Sequence, residues 1–386
     1  MNMTQVESTT TQALLCYQCS KCSSVCPAFR IGEFVPRSLV LEVMTKGMET
    51  AAQDKTIWGC KTCGNCLICP MMIDIPTLVL DVRAYAFTKG NLPPETKTEH
   101  RRIFSLAQRL MARGTPATVS WPLNHQKHVE KGPVGLFAGL LPVWDQLMYN
   151  YELDLTTGLR AVLEALNTIG VIPAIPPGFK DSGHDMYHGG DRATFLTLAE
   201  HNRDIIKKAG IETLVVINPE DYYMLKTVYP RFLTGFSTKI VFWTEYLVEN
   251  AFIDKAREKA FFFEEVVAAY HDPCKLGRLS KIYDSPRKIL ENIPGVRLVS
   301  LRNEREYAPC CGVTGFLGCD DGSLYLRHER IAEVLASGAS VLVTACPSCA
   351  SHYTCASASM PDQALTVVDL ATLLGKQLFK LNRVKP

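Results

Sequence analysis

"LLCYQCSKCSSVCPAFR", residues 14 to 30, sets four thiols, Cys16, Cys19, Cys22 and Cys26, within eleven positions and places Pro27 directly after the last. Cysteines two or three residues apart rarely pair with one another, and a chain of 386 residues is not a small disulfide-stapled domain. Zinc sites usually split their ligands into two short pairs across a longer loop. The spacing C-x2-C-x2-C-x3-C-P is instead the run that wraps a cubane iron-sulfur cluster and hands its fourth cysteine to a neighbouring one.

"IWGCKTCGNCLICPMMIDIP", residues 57 to 76, repeats the arrangement with Cys60, Cys63, Cys66, Cys69 and Pro70. Two such runs imply two clusters with crossed ligands: Cys16, Cys19, Cys22 and Cys69 on one, Cys60, Cys63, Cys66 and Cys26 on the other. The second run is one residue short, since only Leu67 and Ile68 separate Cys66 from Cys69. That places the departure on the crossing ligand of the first cluster. We expect the cubane to close all the same, because all four thiols remain.

Helices are expected between and after the runs. Pro36 stands where the first residue of a helix accepts proline, Leu39, Val43 and Met44 share a face, and Gly47 reads as a stop. Pro76, then Val79, Val82, Ala86 and Phe87, then Gly90 repeat the plan. Trp58 reads either as a cluster cover or as a core anchor. Residues 1–92 are thus expected to form a helical double 4Fe-4S ferredoxin-like domain, with 93–131 a linker segment containing a helix.

Composition bounds the rest. Apolar residues make up 47% and charged residues 21%, so the chain has ample material for a core. A net charge of +2 gives no electrostatic case for nucleic acid. No apolar run reaches the length of a membrane span; "VGLFAGLLPV" at 134–143 is too short. "MNMTQVESTTTQ" has neither the basic nor the apolar region of an export signal, so a cytoplasmic location is expected. In that reducing setting the 15 cysteines read as metal ligands or redox groups before structural disulfides.

From residue 132 short β-branched runs alternate with helical stretches, the texture of α/β units. "AGIETLVVINPEDYY" from Ala209 superimposes on "SGASVLVTACPSCAS" from Ser337 without a gap: glycine after a helix, a strand, then a proline turn. Asn218 aligns with Cys346 and Asp221 with Cys349; further back, Asp181 and Ser182 roughly align with Cys310 and Cys311, and Leu140 with Cys274. The chain reads as a duplicated module, 132–265 degenerate and 266–386 intact, whose first copy has lost its thiols.

The second copy runs Cys274, 35 residues, Cys310-Cys311-Gly312, then Cys346-x2-Cys349. This resembles the cysteine-rich CCG module of heterodisulfide reductases, and "CYQC" with "IWGCKTC" is similar to the small iron-sulfur subunit of the same enzymes. The chain therefore resembles a fusion of the two subunits: an N-terminal all-α ferredoxin-like domain plus a C-terminal α/β pseudo-duplicated CCG domain. The resemblance implies two cubane 4Fe-4S clusters and one noncubane 4Fe-4S cluster on Cys274, Cys310, Cys311, Cys346 and Cys349. It also implies a flavoprotein subunit of heterodisulfide reductase type as electron donor or acceptor, beside other redox subunits.

The residues themselves say something close. Adjacent cysteines such as Cys310 and Cys311 reach different irons of an open cluster more easily than one corner of a cubane, and Gly312 lets the backbone approach a metal. A zinc site plus spare core cysteines is the alternative. His271 reads as a tuner of the cluster or a backbone-bonded residue; Lys275 and Arg278 as neutralising or merely solvated cations; Cys319 and Cys355 as outside the ligand set. No G-x-G-x-x-G follows a strand-like run, so the primary donor is expected on another subunit. The expected function is electron transfer within a multi-subunit redox complex, ending at a disulfide or a partner; the competitor is a non-catalytic metal-binding scaffold or redox sensor.

Overall fold

The computed structural model describes residues 9–96, 100–114, 126–257, 265–360 and 365–383. The chain forms two compact units, both discontinuous in sequence: Met1–Arg113, Gly183–Thr197 and Pro309–Arg327 in the first, and Gly114–Ser182, Leu198–Ala308 and His328–Pro386 in the second.

The first unit is helical. Helix α1 (Pro36–Ala51) opens on a proline, whose missing N–H would have had no partner there, and buries Leu39, Val40 and Val43. Gly47, at φ 81°, ends the regular helix as its sequence suggests, but one more helical turn follows to Ala51 and seats Met48 against the core. Helix α2 (Ile75–Thr88) is capped by Asp74, which accepts from the Thr77 amide, and carries Pro76 in its first turn. Leu78, Val79 and Val82 pack with Phe34, Ile57, Trp58 and the cysteine loops in one core, each buried aliphatic contributing about 1.5–3 kcal/mol. Helix α3 (His100–Ala112), in the segment expected to link the domains, stacks Phe104 on Phe316 with ring centres 4.6 Å apart. Residues 97–99 and 115–125 of that segment lie outside the described residues.

The second unit is α/β. Strands β1 (Val134–Phe137), β2 (Thr213–Val216) and β3 (Lys239–Phe242) form a parallel sheet in the order β1-β2-β3. Strands β4 (Val266–His271), β5 (Val296–Val299), β6 (Val341–Thr344) and β7 (Thr366–Asp369) form a second parallel sheet in the order β5-β4-β6-β7. The strands are short and nearly all apolar, as expected where helices cover both faces of a parallel sheet.

The helices of this unit include α4 (Leu155–Thr168), α5 (Pro219–Tyr223), α6 (Trp243–Glu249), α7 (Asp284–Glu291), α8 (Pro347–Ala358) and α9 (Leu370–Phe379). At the α4–α9 crossing each helix offers a glycine. A Cβ on Gly158 would stand 3.1 Å from the Thr372 backbone nitrogen, and one on Gly375 would stand 3.0 Å from the Ala161 Cβ. Helices α6 and α7 meet through the Thr244 and Ser285 hydroxyls, 2.7 Å apart. The proline turns read after β2 and β6 are in fact helix starts, with Pro219 and Pro347 in the first turns of α5 and α8.

Candidate iron-sulfur sites

The two cysteine runs adopt the same backbone course. In the first, Gln18 (φ 63°) and Ser20 (φ 68°) are left-handed; in the second, Thr62 (φ 45°) and Gly64 (φ 80°) stand at the matching places. These turns aim three cysteines of each run at one space. One cavity is lined by Cys16, Cys19, Cys22 and Cys69. A second is lined by Cys26, Cys60, Cys63 and Cys66. The residue missing before Cys69 is absorbed locally: the first run uses an α-turn, Lys21–Ser24, and the second the tighter 3-10 helix Asn65–Ile68. Among the described residues no cysteine is joined in a disulfide.

Donors already point at sulfur. The Thr62 amide lies 3.4 Å from Cys60 Sγ and Gln18 Nε2 3.3 Å from Cys16 Sγ. Among the described residues, no three His, Cys, Asp or Glu side chains converge as ligands of one metal ion. Four soft thiols around a cavity suit a polynuclear group, in which each thiolate takes its own iron, better than one zinc ion.

Burial separates the two cavities. Cys26, Cys60, Cys63 and Cys66 are all buried, whereas around the other cavity only Cys22 is buried, Cys16 and Cys69 are half-buried and Cys19 is exposed. Burial pushes the Cys26 thiol up to about 12 and raises Cys60 and Cys66 as well. The Lys21 amide, by contrast, lowers Cys19.

Several residues around the buried cavity were not singled out by the cysteine spacing. Arg83, fully buried on α2, donates to the carbonyls of Ile57 (3.0 Å), Trp58 (3.1 Å), Cys60 (2.7 Å) and His188 (3.2 Å), and burial lowers it to about 10. Its guanidinium lies over the Trp58 ring, 5.3 Å from the centre, so Trp58 serves as a core anchor. Lys61 is buried, pairs with Glu33 at 2.5 Å and lies against Gly318. Glu33 also lies beside Asp320; burial raises Glu33, while at Asp320 the effect of burial is outweighed by the Ser323 amide and Lys61, which hold that carboxyl low. Thr62 meets Thr314, hydroxyl to hydroxyl, at 3.3 Å. The second cysteine loop thus rests on the segment that follows Cys310 and Cys311. A charged residue on the apolar stripe of α2, and a lysine inside a cysteine run, were the available signals.

Cys310 and Cys311 are buried in the first unit. Gly312, at φ 83°, turns its amide to within 3.4 Å of Cys310 Sγ, and Arg327 donates to the Cys311 carbonyl at 3.2 Å. Cys274, Cys346 and Cys349 belong to the second unit. Cys274 follows β4 and Cys346 follows β6, its hydrogen-bonded neighbour; Cys346 is the N-cap of α8 and Cys349 lies in its first turn. Carboxyl ends of adjacent parallel strands and a helix N-terminus both favour thiolates there. Asp272, in a bidentate pair with Arg287 at 2.6 and 2.8 Å, also accepts from the Arg305 amide at 2.8 Å and fixes the loop before Cys274. Lys275 is buried over the Tyr223 ring, and Arg278 donates to the carbonyls of Ala308 and Glu306, so neither is a solvated surface cation. His271 is buried edge-on to the Tyr353 ring. Cys319 and Cys355 are half-buried.

The residues that the sequence aligns with Cys274, Cys310, Cys311, Cys346 and Cys349 have other employment. Asn218 caps α5, its side-chain oxygen accepting from the Glu220 amide at 3.1 Å. The Asp221 carboxylate packs against Gly139. Asn202 donates to the Asp181 carbonyl at 3.0 Å and Tyr229 to the Ser182 carbonyl at 3.1 Å. Leu140 is buried in the core.

Thiol-lined cavities on a helical unit, joined to a parallel α/β unit with cysteines at strand ends, define an iron-sulfur protein. Residues 15–74 match the 4Fe-4S dicluster domain and residues 268–354 match the cysteine-rich CCG domain. The chain is similar to a probable iron-sulfur-binding oxidoreductase, FadF, of Bacillus subtilis, at 26% identity over 86% of this chain and 55% of that one. It is similar to a subunit of dihydromethanophenazine:CoB--CoM heterodisulfide reductase from Methanosarcina mazei, at 24% identity over 86% of each. A crystal structure of a hypothetical protein from Helicobacter pylori shares the fold, with a TM-score of 0.50, 12% identity, and coverage of 90% of this chain and 67% of that one. The chain is a fusion of a 4Fe-4S dicluster domain with a CCG domain, in the pattern of the small and cysteine-rich subunits of heterodisulfide reductase. It spans little over half the length of the Bacillus relative. Among the described residues no helix is long and apolar enough to cross a membrane.

Proposed function

We propose that the chain is an electron-transfer subunit of a larger redox complex. Cys16, Cys19, Cys22 and Cys69 hold one cubane 4Fe-4S cluster, and Cys26, Cys60, Cys63 and Cys66 the other. Cys274, Cys310, Cys311, Cys346 and Cys349 hold a noncubane 4Fe-4S cluster, as the CCG motif implies. When bound, these groups supply stepwise one-electron transfer from the cubanes to the noncubane centre. The chain's own residues do the rest: thiolates from two loops fix the groups, amides of Thr62 and Gly312 point at sulfur, and Arg83 holds the carbonyls leading into Cys60. One observation carries the reading. The Cys60–Cys63 loop and the segment after Cys311 belong to one compact unit and touch through Thr62 and Thr314.

A duplicated CCG fold with one working site is part of the same proposal. It is supported by reciprocal helix pairing: α4, after the first strand of one sheet, packs on α9, after the last strand of the other, and α6 and α7 pair in the same sense. Only one copy keeps its thiols, so a disulfide held between two noncubane clusters is excluded, and electrons leave to a partner centre or to a disulfide handled at one cluster. A flavoprotein of heterodisulfide reductase type is the proposed donor or acceptor.

Anaerobic iron, sulfide and zinc analysis tests this. About twelve irons per chain are expected from three four-iron clusters, with no loss in Asp181→Ala or Asp221→Ala and with delivery abolished in Cys310→Ser while the cubanes stay reducible. Near-stoichiometric zinc with little iron would establish the scaffold or sensor instead. Loss of iron in Asp221→Ala would show that the first copy holds a cluster.

A further inference from the structure

The cavity of Cys16, Cys19, Cys22 and Cys69 opens among apolar side chains that stand in solvent. Leu14 (61% exposed), Leu15 and Tyr17 (60%) flank its first cysteine, and Leu67, Ile68 and Met72 (85%) flank its last. The two groups are one surface. Cys16, Cys19 and Cys69 line the same cavity, and the Asn65 side chain ties the second loop to the Val25 carbonyl of the first at 3.2 Å. Cys19 itself is exposed in the middle. Exposed large apolar groups are ordinary when scattered, but a contiguous set around a functional group marks a contact surface.

Charge narrows the occupant. The charged side chains exposed in residues 14–41 are Lys21, Arg30 and Arg37. Lys21 and Arg37 border the same cavity, while Glu33 in that span is turned inward to Lys61. An apolar centre with a basic border, over a half-open thiol site, complements an apolar patch framed by carboxylates.

We propose that this surface docks an acidic, one-electron redox protein, with an interface at the small, transient end of the range, below about 1,200 Å². The proposal rests on the cluster assignment above. In the transfer the partner's centre loses one electron and the cluster on Cys16, Cys19, Cys22 and Cys69 gains one; no bond is made and no proton is needed. The apolar side chains exclude water from the junction, and Lys21 and Arg37 steer the approach, so that the encounter weakens with salt.

The test follows reduction of the anaerobic, iron-loaded chain by stopped flow, with reduced flavodoxin as an acidic one-electron probe and dithionite as a small-molecule control. Leu14→Glu/Met72→Glu and, separately, Arg37→Glu should slow reduction by flavodoxin at least tenfold, and salt should slow the unsubstituted chain. Dithionite should reduce all of them alike. Tyr307→Glu, another exposed aromatic on the second unit, should change nothing. Equal flavodoxin rates in substituted and unsubstituted chains of full iron content would overturn the docking surface. So would a dimer in sedimentation that Leu14→Glu/Met72→Glu dissolves, since a second copy would then be the occupant. An unsubstituted chain that takes up no iron would instead defeat the cluster assignment beneath it.

Discussion

Tyr17 and Lys61 hold the same place in two loops of the same shape, each directly after the first cysteine of its run. Tyr17 stands in solvent over Cys19; Lys61 is buried, held by Glu33 and pressed on Gly318. One motif has thus been given two surroundings. If both cavities hold clusters as proposed, the half-open one and the one sealed against the segment after Cys311 are not interchangeable. The difference lies in what surrounds the thiols, because the thiols themselves are alike.

The contrast between the two loops depends most heavily on Arg83. Arg83→Met strips partners from the carbonyls of Ile57, Trp58 and Cys60 and should cost about 3 kcal/mol or more, read by anaerobic chemical denaturation; a loss under ~1 kcal/mol would mean that the sealed loop holds itself. Next comes Cys26→Ala. It should remove the centre shared with Cys60, Cys63 and Cys66 and spare that of its sequence neighbours, a split visible by electron paramagnetic resonance. If the signal lost is the one that Cys19→Ala also removes, the crossing is wrong.

Lys61→Met probes the sealed surroundings alone. Removing a buried cation disfavours the more negative, reduced state, so the midpoint potential of that centre should fall by tens of millivolts, with ~1.4 kcal/mol corresponding to about 59 mV for one electron. The half-open centre should not move; an equal shift of both would show that the two are not electrostatically separate. The smallest effect is chemical. In metal-free protein at neutral pH, alkylation should reach Cys19 first, whose pKa is lowered by the Lys21 amide, and the buried Cys26, Cys60 and Cys66 last, since burial raises all three thiols, Cys26 to about 12. Raising the pH should narrow the gap; mass spectrometry of the modified peptides reads the order.

Local signals in the sequence were legible because each has a short-range cause. The C-x2-C spacing, Pro36 and Pro76 in first turns and the short apolar strands all act within a few residues. Gly47 was half legible: its φ breaks the helix, but the gain from seating Met48 in the core, which restarts it, lies in another segment. The same limit hid Glu33, Lys61 and Asp320, which are far apart in the chain and meet only after folding. It also hid the grouping of Pro309–Arg327 with the N-terminal helices, since no periodicity within either segment records the other. At Asn218 the signal was present in one sense only: the alignment with Cys346 marks a position without a thiol, while its role as a helix cap depends on α5 beginning there.

The contact between Lys61 and Gly318 has a consequence for biosynthesis. All eight cysteines of the two runs leave the ribosome long before Thr314, Gly318 and Asp320 are made. The pocket that ends sealed is therefore uncovered while the chain is nascent, until its covering segment, Pro309–Arg327, is made. A cluster offered to the growing chain meets two open pockets; one offered to the finished chain meets one pocket open and one whose Lys61–Glu33 pair must first part. Pulse-labelled iron added before and after release should load the first site in both cases and the second chiefly in the earlier one.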